Sequence, residues 1–318
     1  MDIQKSEMEI VMTVYDIAVV GAGPAGLCAS VYALRAGKSV VIFDGGAVGG
    51  QMTYSPKIEN FPGFVSISGN ELADRFVDQV LEQGADMLPD NVEKIVDGEV
   101  KKLVTEAGEE FFAKAVILAN GVKHRMLGAE GEKRFIGHGI SFCAVCDGAF
   151  FKDRDVVVVG GGNSALQEAL LLAETSKSVT VIQNLGFLTG EKKLADLLLA
   201  KENVKVIYGA AVKEITGGDS VDGVVIEKDG ETLEIKTDGV FIAIGLKPEN
   251  SAFSALAPLD RDGYYDAGDD CKGGADGVFV AGDCRRKTLR QITTAVADGA
   301  VAALAACRYV DGSASDIR

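Results

Sequence analysis

The chain has 318 residues, 47% hydrophobic and 25% charged, which suits a globular protein of about two domains with a sizeable core. Its 32 basic and 47 acidic residues leave a net charge of −15, which argues against nucleic acid or an anionic membrane as the main partner. No apolar run approaches the roughly 20 residues that span a bilayer, and the first residues lack a signal-peptide layout, so the expected location is cytoplasmic.

Val14–Val20 reads as a strand buried on both faces, as in a parallel sheet. Gly21-Ala-Gly-Pro-Ala-Gly26 follows at once, then a helix over Leu27–Ala36 and the strand Val40–Phe43, with Asp44 at its tip. A helix near Asn70–Gln83, a short β segment and the strand Ala115–Ala119 come next. The pattern then recurs, with the strand Val156–Val159, Gly160-Gly-Gly-Asn-Ser-Ala165, a helix over Leu166–Glu174 and the strand Val179–Ile182. In each unit 23 positions separate the first glycine from the residue after the second strand, Gly21 to Asp44 and Gly160 to Gln183, a match that points to two nucleotide-type folds. Short strands are expected at Val204–Tyr208, Val224–Glu227, Leu233–Lys236 and Val240–Ile244, with Gly245–Pro248 as a linker. The strand Val278–Ala281 leads into Gly282-Asp283 and a helix over Leu289–Cys307. That last portion has no sheet of its own and is expected to return to the first domain. The expected class is α/β, with two Rossmann-like three-layer dinucleotide-binding domains, the second inserted into the first. The boundaries are 1–122 and 248–318 for the first domain and 123–247 for the insertion. Met1–Met12 and the tail from Asp311 read as frayed ends.

Gly21, Gly23 and Gly26 let the backbone turn tightly and approach a pyrophosphate, and they aim a helix N-terminus at its charge. Asp44 supplies the carboxylate that accepts hydrogen bonds from a ribose. In the second unit Gly160, Gly162 and Ala165 keep the fingerprint, with Asn163 and Ser164 between them. Its strand tip instead carries Gln183, Asn184 and Leu185, neither the acid of an NAD site nor the arginine of an NADP site. A domain that keeps these glycines only for packing is the competing reading. Between the two units lies Cys143-Ala-Val-Cys146-Asp147. A zinc site would need four ligands, and the chain offers no second close cysteine pair and only His124 and His138, so no metal is expected. The pair reads as a redox dithiol, one thiol attacking a partner disulfide and the other resolving the mixed disulfide. Asp147 is placed to exchange the proton, or else is a turn residue. Cys28, Cys271, Cys284 and Cys307 read as small buried hydrophobes.

With Gly49-Gly-Gln51, Glu59-Asn-Phe-Pro-Gly63, Gly282-Asp283 and Arg290-Gln291 added, the chain resembles the low-molecular-weight thioredoxin reductases over about Tyr15–Ala306. The resemblance implies an FAD flavoprotein, a homodimer, and thioredoxin or a thioredoxin-like protein as acceptor. It implies that Gln51, Asn60, Asp283, Arg290, Gln291 and Ile292 join Gly21, Gly23, Pro24, Ala25, Gly26, Asp44 and Gly45 in holding FAD. It also implies that Cys146 faces the flavin, that Cys143 attacks thioredoxin and that Asp147 is the acid–base group. Members that use NADPH grip its 2′-phosphate with a His-Arg-Arg run and a further arginine. Here those positions read Gln183, Asn184, Leu185 and Thr189, which makes NADPH a doubtful donor. A second departure is Asn120, where the family usually has threonine. A related branch takes electrons from ferredoxin, and Arg285-Arg286-Lys287 is a candidate docking patch for an acidic one. A flavin-bound redox sensor that does not turn over is the alternative of another class; a peroxide or glutathione-type reductase differs only in acceptor.

Overall fold

Consecutive valines and isoleucines lose little by sitting in a doubly covered parallel sheet, and both expected sheets form on them. The computed structural model describes residues 13–55 and 57–312, so the expectations for residues 1–12 and for the tail beyond 312 lie outside the described residues. The helices are α1 (Pro24–Arg35), α2 (Gly69–Glu82), α3 (Ala144–Asp147), α4 (Asn163–Ala173), α5 (Lys192–Leu199) and α6 (Ile292–Val310). The chain divides into two units. One holds residues 13–50, 73–121 and 248–312, the other 51–72 and 122–247.

The first unit carries a seven-stranded sheet. Its parallel part runs in the order Asp86–Leu88, Val40–Phe43, Val14–Val20 and Glu110–Leu118, and Val278–Val280 also pairs with the end of Glu110–Leu118. The hairpin Val92–Val96 with Lys101–Thr105 adds antiparallel strands. Two apolar clusters cover the sheet, one built from Ile17, Val19 and the alanines of α1 and α6, the other from Ala18, Val41, Val116 and Tyr265. The packing of α1 on α6 depends on Gly299, where a Cβ would lie 2.2 Å from the Ala25 carbonyl oxygen. Val278–Val280 adds to the sheet of the first unit, and α6 packs on α1.

The second unit repeats the arrangement. Its five parallel strands run in the order Val204–Tyr208, Ser178–Gln183, Asp155–Val159, Gly239–Ile242 and Ile140–Ser141. A three-stranded antiparallel sheet, Ala210–Gly217, Val221–Lys228 and Glu231–Lys236, packs into one of its two cores. Val122–His124 pairs with Leu246–Pro248, so the expected linker Gly245–Pro248 is largely strand. Both motif helices start earlier than the apolar spacing implied, α1 at Pro24 rather than Leu27 and α4 at Asn163 rather than Leu166. Proline at the first helical position costs no hydrogen bond, and the glycine motif itself supplies the first turn. Among the described residues no helix is long and apolar enough to cross a membrane.

Candidate active site

Cys143 and Cys146 form a disulfide, with their Cα atoms 5.3 Å apart. Cys143 is the N-cap of the four-residue α3, in extended backbone, and its Sγ accepts a hydrogen bond from the Cys146 N–H at 3.2 Å. Both cysteines are partly exposed, and Val145 between them is exposed. Ser141 ends the short strand before them. Its hydroxyl donates to Asp147 Oδ2 at 2.6 Å and accepts from the Cys143 N–H at 3.1 Å. The other Asp147 oxygen is buried and has no hydrogen-bond partner. Burial raises the Asp147 pKa above the ordinary carboxylate value, against the Ser141 hydrogen bond, which favours the charged form. Phe142 is stacked on His124 with ring centroids 4.4 Å apart. Burial pushes that imidazole down to about 4, so it is neutral at pH 7.

The first glycine turn has the geometry of a pyrophosphate cradle. A Cβ on Gly26 would sit 1.9 Å from the Gly21 carbonyl oxygen, which forces glycine there. Gly21 adopts a φ of +105°, with the Ala119 carbonyl oxygen 2.4 Å from where its Cβ would be. Beside Gly23 the space is open, with nothing within 4 Å. Pro24, Ala25 and Gly26 open α1 toward that space. Asp44 accepts from the Ala22 N–H at 2.6 Å and the Gly46 N–H at 2.8 Å, and Gly45 donates to Asn91 at 3.1 Å. Gly282 lies against Ala25, bringing Asp283 to the start of α1. Asp283 is half-buried; its Oδ1 is buried without a hydrogen-bond partner, 4.0 Å from Lys287 Nζ, and burial pushes its pKa up to about 6. Arg290 donates to the Asp283 carbonyl at 3.3 Å and stacks on Tyr264 at 4.2 Å, while Gln291 caps α6 ahead of Ile292. An open glycine face, a carboxylate at the strand tip and an acid with a buried oxygen that lacks a hydrogen-bond partner fit FAD. Gln51 and Asn60 lie in the segment that groups with the second unit, where the Gln51 amide donates to the Val122 carbonyl.

The second glycine turn is different. Gly160 keeps a φ of +137°, and Ala165 is fully buried beneath it. Gln183 is only 5% exposed; it donates to the Phe187 carbonyl at 3.1 Å and accepts from the Asn184 N–H at 3.1 Å. Its Nε2 lies 2.3 Å from where a Gly161 Cβ would be, so the amide fills the space beside the turn. Thr189 and Gly190 both donate to the Gly161 carbonyl, at 2.8 and 2.9 Å, and Asn163 accepts from Glu191 at 2.6 Å. The strand tip is thus closed by its own loop, and Leu185, at one of the positions where the resemblance places an arginine, stands exposed. These residues do not fit a 2′-phosphate.

The structure corrects the docking-patch expectation for Arg285-Arg286-Lys287. Arg285 is buried and pairs with Asp298 at 2.8 Å, and Lys287 reaches the same carboxylate at 2.8 Å. Only Arg286 is exposed, and it pairs with Asp266 at 3.0 Å. The run is an internal charge cluster, because desolvated cations need a buried anion more than a partner surface needs them. Asn120, the other departure, donates to the Asn250 side chain at 2.8 Å.

A family model described as pyridine nucleotide-disulphide oxidoreductase matches residues 15–299. The thioredoxin reductase of Listeria monocytogenes is 40% identical over 301 residues, covering 94% of each chain. That of Bacillus subtilis is also 40% identical over 301 residues, 94% of this chain and 95% of the relative. The crystal structure of thioredoxin reductase from Streptococcus pyogenes superposes with a TM-score of 0.90 at 41% identity, over 94% of this chain and 99% of the other.

Proposed function

We propose that this chain, which belongs to the pyridine nucleotide-disulphide oxidoreductase family and within it to the thioredoxin reductases, is an FAD enzyme that reduces thioredoxin or a thioredoxin-like protein through Cys143 and Cys146. The observation that carries this reading is the disulfide itself, half-exposed and backed by the buried carboxyl of Asp147. FAD, when bound, supplies the electron pair that opens the disulfide. Gly21, Gly23, Pro24, Ala25 and Gly26 would hold its pyrophosphate, Asp44 its ribose, and Asp283 a hydroxyl of its chain, with Gly45, Arg290, Gln291 and Ile292 beside them. Gln51 and Asn60 complete the set that the resemblance implies.

In the reduced protein the Cys143 sulfur attacks the acceptor disulfide. The Cys146 N–H already points at that sulfur and favours its thiolate. Asp147, whose raised pKa keeps a proton within reach, protonates the departing acceptor sulfur. Cys146 then displaces the acceptor from Cys143 and restores the disulfide. By resemblance the working form is a homodimer in which the second unit is an inserted pyridine-nucleotide-type domain. NADPH is proposed to be a poor donor, on the strength of the closed strand tip at Gln183.

Holoenzyme reduced with dithionite and mixed anaerobically with oxidised thioredoxin should release thioredoxin thiols, and Cys143→Ser should release none while keeping its flavin. A wild-type protein that takes up no electrons beyond those of its flavin would overturn the reading.

A further inference from the structure

Asp147 is not the only carboxyl beneath the dithiol. Glu168, on α4, has one oxygen buried without any hydrogen-bond partner, and its carboxyl takes a hydrogen bond from the Ala144 N–H, the residue next to Cys143. Helices α3 and α4 pack together there, with Gly148 against Leu172. The buried Asp147 Oδ1 likewise has no partner. Two carboxyls with orphaned oxygens thus lie on two packed helices, Asp147 on α3 and Glu168 on α4, and the Asp147 charge acts on Glu168. The charged groups on elements packed against α4 are Asp147 on α3, Asp155 on the strand Asp155–Val159, and Lys192, Lys193 and Asp196 on α5. Of these, only Asp147 bears on Glu168. Asp147 also lines, with Ser141, His138 and Asp238, a cavity of about 400 Å³, through which water can exchange a proton with it.

We propose that Glu168 is a positioning residue for proton transfer at the dithiol, sharing a single proton with Asp147 beneath α3. The inference rests on the thioredoxin-reducing role of Cys143 and Cys146. Burial, with the neighbouring Asp147 charge adding to it, pushes the Glu168 carboxyl up to about 8, so the pair keeps one proton at pH 7. In the first step the Cys143 thiolate bonds to one acceptor sulfur, the acceptor S–S bond breaks, and the departing sulfur takes the shared proton. The pair, now without a proton, takes the Cys146 thiol proton as Cys146 attacks Cys143. The second acceptor sulfur leaves as a thiolate and draws its proton from water. Two electrons move from the enzyme dithiol to the acceptor, and the pair ends with the proton it began with. Glu168 touches neither acceptor nor flavin; it acts by keeping Asp147 supplied.

Glu168→Gln tests this, because glutamine still accepts from the Ala144 N–H but cannot carry the proton. With dithionite-reduced holoenzyme, the wild-type rate of thioredoxin reduction should fall on an alkaline limb near pH 8, where the pair loses its last proton. In the variant Asp147 titrates without a like-charged neighbour, so the limb should move to lower pH by about one unit or more. A variant whose rate drops equally at every pH, with the limb in place, shows Glu168 to be merely structural and overturns the proposal. Infrared difference spectra of wild-type holoenzyme between pH 7 and pH 9 give a second readout. They should show one protonated carboxyl band being lost, a band absent from the variant. The Asp283 carboxyl, pushed up to about 6, is already largely ionised at the start of that titration. Absence of the band in the wild type overturns the proposal even if the variant does not fold. Should the wild type fail to reduce thioredoxin at all, the assigned function falls, and the infrared titration still decides whether the pair holds a proton.

Discussion

Ser141 does two jobs at one atom: its hydroxyl orders the Cys143 N–H and donates to Asp147. Asp147 therefore has one oxygen tied and one free in a buried place, which suits a group that must hold and release a proton within one turnover. Asp147→Asn cannot protonate the leaving sulfur. Reduction of thioredoxin by the pre-reduced variant should slow by about 10²–10⁴-fold, the usual worth of a positioned general acid, with flavin content unchanged. Rapid-mixing of the reduced variant with thioredoxin checks this; a loss under about threefold would make Asp147 a turn residue. Cys143, Cys146 and Asp147 were legible in the sequence because their chemistry lies in five consecutive positions. Ser141 is only two residues away, yet nothing in its own type sets it apart from a surface serine. Glu168 reaches the Ala144 backbone only because α4 packs on α3, and no local spacing encodes that meeting. The three-residue basic run misled for the converse reason, since burial of Arg285 and Lys287 is a tertiary fact.

At the scale of elements, α6 is held by a buried charge cluster as well as by alanine packing. Asp298 lies mid-helix with its side chain 8% exposed, accepting from Arg285 Nε at 2.9 Å and Nη2 at 2.8 Å, from Lys287 at 2.8 Å, and from the Gly282 N–H at 3.0 Å. Burial works to raise its pKa, but the hydrogen bonds from Arg285 and Lys287 outweigh it and hold the carboxyl below its ordinary value. Because the folded value is the lower one, the stabilisation is present above the unfolded pKa and is lost as pH falls below it. Asp298→Asn leaves two buried cations short of their anion and should cost about 3–5 kcal/mol. The loss should be largest near neutral pH and shrink below about pH 4, as thermal melts across that range would show. Melts that differ equally at every pH would assign the loss to packing. The strands Val14–Val20, Val40–Phe43 and Val204–Tyr208 were legible to the residue, because each is a β-branched, apolar-rich stretch that ends at or just before a glycine turn. Ala210–Gly217 was missed, and its pairing contains register shifts at Val212/Glu214 and Thr216/Gly217 that break the alternation. The short strand Ile140–Ser141, which places Ser141, is too brief to carry a period.

For the whole molecule the open question is how electrons enter, and Gln183 bears on it most directly. An NADPH site gains about 1.5–3 kcal/mol from each arginine on the 2′-phosphate. Gln183, Asn184 and Leu185 supply none, and the Gln183 amide is already spent on Phe187 and Asn184. The loss of two such contacts alone weakens binding by about 10²-fold or more. With a net charge of −15, the surrounding field repels an anionic donor further at low ionic strength. Anaerobic stopped-flow with micromolar NADPH should therefore bleach the flavin slowly, while dithionite bleaches it and opens the disulfide. Introducing arginines as Asn184→Arg with Leu185→Arg should raise the apparent NADPH affinity by about 10-fold or more, most strongly at low salt, because both positions flank the closed turn. Rapid bleaching of the wild type would show that the loop at Gln183 opens to admit the nucleotide. An unchanged rate in the double variant would place the obstacle in the buried Gln183 amide instead, since that group stays over Gly161 whichever charges surround it.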